Sequence, residues 1–217
     1  MSNDRVGELY VVAAPSGAGK TSLIRRMLEA FPDLAFSVSA TTRPPRRGEA
    51  DGEHYHFLER GEFQDRVEQG RFLEHAEVFG HFYGTDRRHV ETLWADGKDV
   101  LLDIDVQGAA QVRATHPDAC QVFILPPSLA VLRERLTGRN TDAPEVIERR
   151  LREARDEMAG CLAFDWIVVN DDFEQACAEM RAILTAWPLR RERQRSAQSD
   201  RIRNLLARGA NGDTIEG

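Results

Sequence analysis

The sequence predicts an α/β fold: a parallel sheet with helices on both faces, carrying an inserted α+β lobe and a helical lid. Three observations predict it. Short apolar runs of strand length alternate with segments of helical periodicity, the order that builds parallel sheets through crossover helices. The first run passes directly into a glycine-rich turn and then an amphipathic helix. Two segments break the alternation, and each has a composition of its own.

Taken in order, Leu9 to Ala13 reads as a buried strand. Leu23, Ile24, Met27, Leu28 and Phe31 then recur at helical spacing, with Arg25, Arg26 and Glu29 on the other face. Residues 37–85 hold short alternating runs rich in Arg, His and Gly, with Pro44 and Pro45, and read as the inserted lobe. Val100 to Asp105 is a second buried strand and residues 107–115 a helix. Gln121 to Leu125 is a third strand, stopped by Pro126 and Pro127, followed by a helix over 128–136. Residues 135–158 are helical and strongly charged, and read as the lid. Trp166 to Val169 is a fourth strand, and residues 173–187 form a helix. A basic helix over 188–208 starts afresh at Pro188, and the small polar tail from Asn211 frays. The expectation is one domain over residues 1–217. Its core comprises 8–36, 86–134 and 159–187, with the insert at 37–85 and the lid at 135–158.

Composition narrows the class. Hydrophobic residues make up 41% and charged residues 30%, an ordinary soluble chain. A net charge of −7 gives no footing for general nucleic-acid binding. Cys120, Cys161 and Cys177 have no metal-knuckle or redox spacing and read as reduced thiols. The polar start and the lack of a spanning apolar run predict a cytoplasmic protein without a membrane partner.

The chemistry starts at Ala14, Pro15, Ser16, Gly17, Ala18, Gly19, Lys20 and Thr21. The P-loop pattern G-x-x-x-x-G-K-[ST] is met at Gly19, Lys20 and Thr21, with Ala14 in place of its first glycine. Strand before and helix after make this a P-loop NTPase-like sheet. Backbone N–H groups at a helix N-terminus converge on an anion, and the helix dipole adds positive potential. Lys20 reaches the terminal phosphates as a point charge, and Thr21 offers a hydroxyl to Mg²⁺. Asp103 and Asp105 end a buried strand, where open α/β sheets bind ligands. At two-residue spacing they share a face, one placed to hold magnesium waters and the other to face an acceptor; the alternative is a pair that merely caps the next helix. In the insert, Arg43 and Arg46 flank a stiff Pro-Pro turn and suit a phosphate clamp, with Tyr55 and Tyr83 as phenolic donors.

These motifs, together with the runs Ser37 to Arg43, Gly48-Glu49, Tyr83 to Thr85, Asp103 to Gly108 and Val168 to Asp172, resemble the guanylate kinase family, in its bacterial form, from Leu9 to about Trp187. The resemblance implies transfer of the γ-phosphoryl of ATP to GMP or dGMP, with Mg²⁺ accompanying ATP and no tightly bound organic cofactor. It assigns Ser39, Glu74, Thr85 and Asp105 to guanine and Arg43, Arg46, Tyr55 and Tyr83 to the GMP phosphate. Acids suit guanine, whose N1–H and N2–H₂ donate side by side, a pair adenine lacks. It assigns Asn170 to the neighbourhood of the ATP base. It also brings Arg135, Arg139 and Arg150 of the lid to the phosphates, where cations stabilise the transferred group. Asn140 stands where the family has glycine. A salt-bridged helix face is the plainer reading of those arginines, with Glu134, Glu145, Glu148 and Glu153 as partners. Two other functions are open: a binding module of the same fold without chemistry, and a P-loop kinase for another phosphorylated acceptor. His54 and His56 alternate as if to share a metal, with no further ligand spacing to support it. The basic stretch after Pro188 reads as a surface helix or a subunit contact, leaving a homo-oligomer open, rather than as an RNA site.

Overall fold

The computed structural model describes residues 7–138 and 144–209. Its central sheet has five parallel strands: β1 (Leu9–Ala13), β2 (Leu34–Phe36), β7 (Asp99–Asp103), β8 (Cys120–Leu125) and β9 (Trp166–Val169), in the order β2-β7-β1-β8-β9. β1 lies in the middle, paired with β7 on one side and β8 on the other. All five residues of β1 are buried, as a strand covered on both faces requires. Leu9 and Val11 join Val100 and Leu102 of β7 in one cluster. Val90 of α3 (Arg87–Ala95) and Ala109 and Val112 of α4 (Val106–Thr115) cover that cluster. The alternate residues Tyr10, Val12 and Leu101 point the other way and are buried too.

The chain leaves β1 through the glycine-rich turn into α1 (Lys20–Ala30), whose apolar stripe of Leu23, Ile24 and Met27 is buried. β8 runs into α5 (Leu129–Thr137), started by the Ser128 hydroxyl accepting from the Val131 N–H at 3.1 Å. α6 (Pro144–Ala159) lays Ile147, Leu151 and Ala154 against Leu132 and Leu136 of α5. α7 (Phe173–Ala186) follows β9.

The inserted lobe is a mixed four-stranded sheet in the order β4-β3-β6-β5 with one helix. Its elements are β3 (Ala40–Thr41), β4 (His56–Phe57), α2 (Arg60–Glu68), β5 (Phe72–Val78) and β6 (His81–Asp86). Phe63 of α2 stacks on Phe72 at 4.5 Å and on Phe82 at 5.5 Å, which gives the lobe a small core of its own.

The structure corrects three expectations. The strand expected to reach Asp105 stops at Asp103, because Asp105 turns away to cap α4. The helix α5 carries Arg135, so the charged segment assigned to the lid begins inside a helix that packs against the glycine-rich turn. The basic stretch after Pro188 is two helices, α8 (Arg191–Ala197) and α9 (Ser199–Gly209), broken at Gln198, rather than one. Residues 1–180 and 181–217 form separate compact units. Among the described residues, no helix is long and apolar enough to cross a membrane, and no group of side chains is placed to hold a metal ion by itself, His54 and His56 included.

Candidate active site

One cleft of about 870 Å³ opens at the carboxyl ends of the parallel strands. The glycine-rich turn forms its floor, the inserted lobe one wall and α6 the other.

The floor is built for an anion. Gly17 and Gly19 adopt φ of 91° and 94°, a region side chains avoid, and this turns the loop's amides inward. A Cβ at Gly19 would collide with the Asn170 carboxamide. α1 starts with no side-chain cap and no acid in its first turn, so its leading amides and dipole remain for a ligand. Glu157 of α6 also lines the cleft, where burial raises its carboxyl, opposed by the Lys20 charge and the Ser16 amide. Lys20 and Asp103 form an ion pair, and Thr21 lines the same floor. The Thr21 hydroxyl and the Asp103 carboxylate are oxygen donors of the kind Mg²⁺ takes, and the Lys20 ammonium suits the phosphates that would carry it.

Asn170 braces the floor from behind. It is buried, and its Nδ2 donates to the Ala18 carbonyl at 2.7 Å. Arg135 does the same work, donating to the Asn170 carbonyl at 2.9 Å and to the Ala18 carbonyl at 3.5 Å. These two side chains, expected beside the ATP base and on the lid, fasten the loop to α5 and to the end of β9. The reason is that the Ala18 carbonyl, in a fully buried residue, needs hydrogen-bond partners away from solvent. Arg150 of α6 does reach the loop, donating to the Ser16 hydroxyl at 3.2 Å. Arg139 lies outside the described residues, as does Asn140.

The lobe wall carries the other candidates. Arg43 donates to Glu49 Oε1 at 2.8 Å and to the Pro44 carbonyl at 2.8 Å, and lies over the Tyr55 and Phe57 rings. Glu49 also accepts from the Arg46 amide at 2.6 Å, so one carboxylate holds both arginine positions. Its hydrogen bond from Arg43 keeps the Glu49 carboxyl below the usual range. Tyr55 and Tyr83 meet edge-on at 5.9 Å, and burial raises the Tyr55 phenol above its usual range, with the Asp103 charge adding to the rise. Tyr55 therefore remains an O–H donor at neutral pH.

Deeper in, Glu74 is 3% exposed. It accepts from the Thr85 hydroxyl at 2.6 Å. Burial pushes its carboxyl up to about 7, opposed by that hydrogen bond and assisted by the charge of Asp105. Gly108 makes room for it, since a Cβ there would run into the Glu74 carboxylate. Asp105 accepts from the Gly108 amide at 2.9 Å and from Gln107 Nε2 at 3.0 Å. The capping alternative is thus real, and the same carboxyl also lines the cleft. Ser39 lines it as well.

Sequence reasoning missed Glu49, Arg149, Glu153 and Glu157. The last three line the cleft from α6. The available signal was the helical spacing: Glu153 and Glu157 follow Arg150 by three and seven residues and so share its side of one helix, and Arg149 is its immediate neighbour.

The comparisons agree with this geometry. The family profile described as guanylate kinase matches residues 6–187. A guanylate kinase of Alkalilimnicola ehrlichii is 54% identical over 200 residues, covering 92% of this chain and 98% of its own length. One of Neisseria meningitidis is 50% identical over 204 residues, covering 94% and 100%. The crystal structure of guanylate kinase from Anaplasma phagocytophilum superposes with a TM-score of 0.72 at 35% identity, over 87% of this chain and 90% of that one. With a P-loop facing a buried guanine-compatible acid, and profile, sequence and fold in accord, this chain belongs to the guanylate kinase family of P-loop kinases.

Proposed function

We propose that the chain transfers the γ-phosphoryl of ATP to GMP, giving ADP and GDP, with Mg²⁺ required and dGMP also accepted. The observation that carries the proposal is the pairing, in one cleft, of an uncapped P-loop with a buried carboxylate at Glu74. The loop amides, Lys20 and Arg150 would hold the ATP phosphates in line. Arg43 and Arg46, set by Glu49, and the Tyr55 and Tyr83 hydroxyls would hold the GMP phosphate. An oxygen of that phosphate attacks Pγ while the bond from Pγ to the β-phosphate oxygen breaks. The attacking oxygen is already ionised, so no general base is needed. Thr21 and Asp103 would hold the Mg²⁺ that accompanies ATP, which would supply charge neutralisation at the phosphates. Glu74 and Asp105, with Ser39 and Thr85, would read the guanine N1–H and N2–H₂ edge. No assigned contact needs the ribose 2′-hydroxyl, hence dGMP. The inserted lobe and α6 would close over the pair as GMP lobe and lid, and the enzyme would serve purine nucleotide metabolism in the cytoplasm.

A steady-state assay with GMP, AMP, CMP and UMP as acceptors tests the reading. GMP is expected to exceed AMP in kcat/KM by about 1,000-fold or more, since adenine would leave buried acceptors unpaired. Equal rates with all four would remove it.

A further inference from the structure

Phe79 opens the two-residue turn that joins β5 to β6, between the paired Val78 and His81. Its φ is 54°, and Gly80 follows at 78°. Two positive values in a two-residue loop are the pattern of a type I′ hairpin, in which Asn-Gly or Asp-Gly is the favoured pair. Among the described residues, Phe79 is the single non-glycine residue with positive φ. A bulky aromatic side chain is strained there, and an asparagine would not be.

Packing does not repay that strain. Phe79 is 62% exposed, while the aromatic core of the lobe is made by Phe63, Phe72 and Phe82 without it. What the ring does is line the cleft. Val146, in the first turn of α6, lines the same cleft from the opposite wall. An outlier of this kind, at a binding cleft and without structural compensation, marks a functional constraint.

We propose that Phe79 is a positioning residue for the acceptor nucleotide: its ring covers the bound nucleotide and, with Val146, seals the cleft from water. The proposal rests on the reading of the site as one for GMP. A ring exposed in the free protein gains by burying its face against a base or ribose. The seal matters because water competes with GMP as acceptor: its oxygen would attack Pγ, the same bond to ADP would break, and phosphate and a proton would be released. Excluding water suppresses that loss.

The substitution Phe79→Asn separates this role from a structural one, because it relieves the turn while removing the ring. Melting temperature is expected to rise by a few degrees. At the same time kcat/KM for GMP is expected to fall about tenfold or more, with KM for ATP unchanged. ATP hydrolysed per GDP formed should increase. Phe79→Trp, which keeps an aromatic face, should retain kcat/KM within about threefold of the parent. A Phe79→Asn protein that is more stable and fully active overturns the proposal. So does one that melts lower, since the ring would then be a structural element of the lobe. If the parent chain phosphorylates GMP and Phe79→Asn matches it, this inference alone fails. If the parent shows no preference for GMP, the reading of the site fails and this inference with it.

Discussion

In the proposed function, Glu74 couples folding to recognition. Between pH 4.5, the ordinary carboxyl value, and about 7, the unfolded chain has released this proton and the folded chain retains it. The folded state then binds more protons, so stability falls as pH rises through that window and levels off above it. The shift corresponds to about 3 kcal/mol. Binding runs the other way, because guanine N–H groups need an ionised acceptor. KM for GMP should therefore fall as pH rises through about 7. We predict that Glu74→Gln flattens melting temperature against pH in this window, exceeds the parent's stability at about pH 8 and raises KM for GMP about 100-fold. Thermal denaturation and steady-state kinetics over the pH range check all three. A parent-like slope in the variant would show that another group carries the linkage. That Glu74 is an acid in a guanine-shaped motif was legible in the sequence. Its deep burial was not, because that depends on Gly108 leaving the space and on Thr85 arriving from the neighbouring strand.

At the scale of elements, the glycine-rich turn depends on what stands behind it. Asn170 follows β9, some 150 residues along the chain, and holds the Ala18 carbonyl; α5 supplies Arg135 for the same purpose. We predict that Asn170→Ala, which strands a buried carbonyl, costs about 1–3 kcal/mol of stability and raises KM for ATP about tenfold. KM for GMP should hold. Preference among ATP, CTP and UTP should also hold, whereas a residue reading the adenine base would alter that preference when removed. Urea denaturation and donor profiling distinguish the cases. The sequence placed β1, β9, α4, α5 and α7 to within a residue or two, because apolar runs alternate with longer segments and turn signals such as Pro126-Pro127 separate them. It passed over β2 and α3. Leu34–Phe36 is three residues long, too short for any period, and becomes a strand only by pairing with β7. Arg87–Ala95 presents Val90, Leu93 and Trp94 at helical spacing, but the stripe is a single turn long and only Val90 is fully buried.

For the molecule as a whole, the family match ends at residue 187, and α8 contains no buried residue. In α9, Leu205 and Leu206 are 65% and 72% exposed. We predict that a chain ending at Arg190 keeps kcat for GDP formation within about twofold of the parent. A coupled assay on the truncated protein measures it, and a collapse in rate would give the terminal helices a part in turnover. By itself the sequence determined the parallel α/β sheet, the P-loop, the inserted lobe and the residue types that face the cleft. The sheet and the P-loop follow from local periodicity and from spacings within a dozen residues, whereas Ser39, Glu74 and the lid arginines came to the site through the resemblance to the guanylate kinase family. Only the tertiary structure decided that Asn170 and Arg135 brace the loop, that Glu157 lines the cleft, that Glu49 orders two arginine positions, and that Phe79 bears its strain in the open. Those outcomes turn on which buried polar groups find partners across long stretches of chain, and on backbone angles that a side chain's identity alone would not predict.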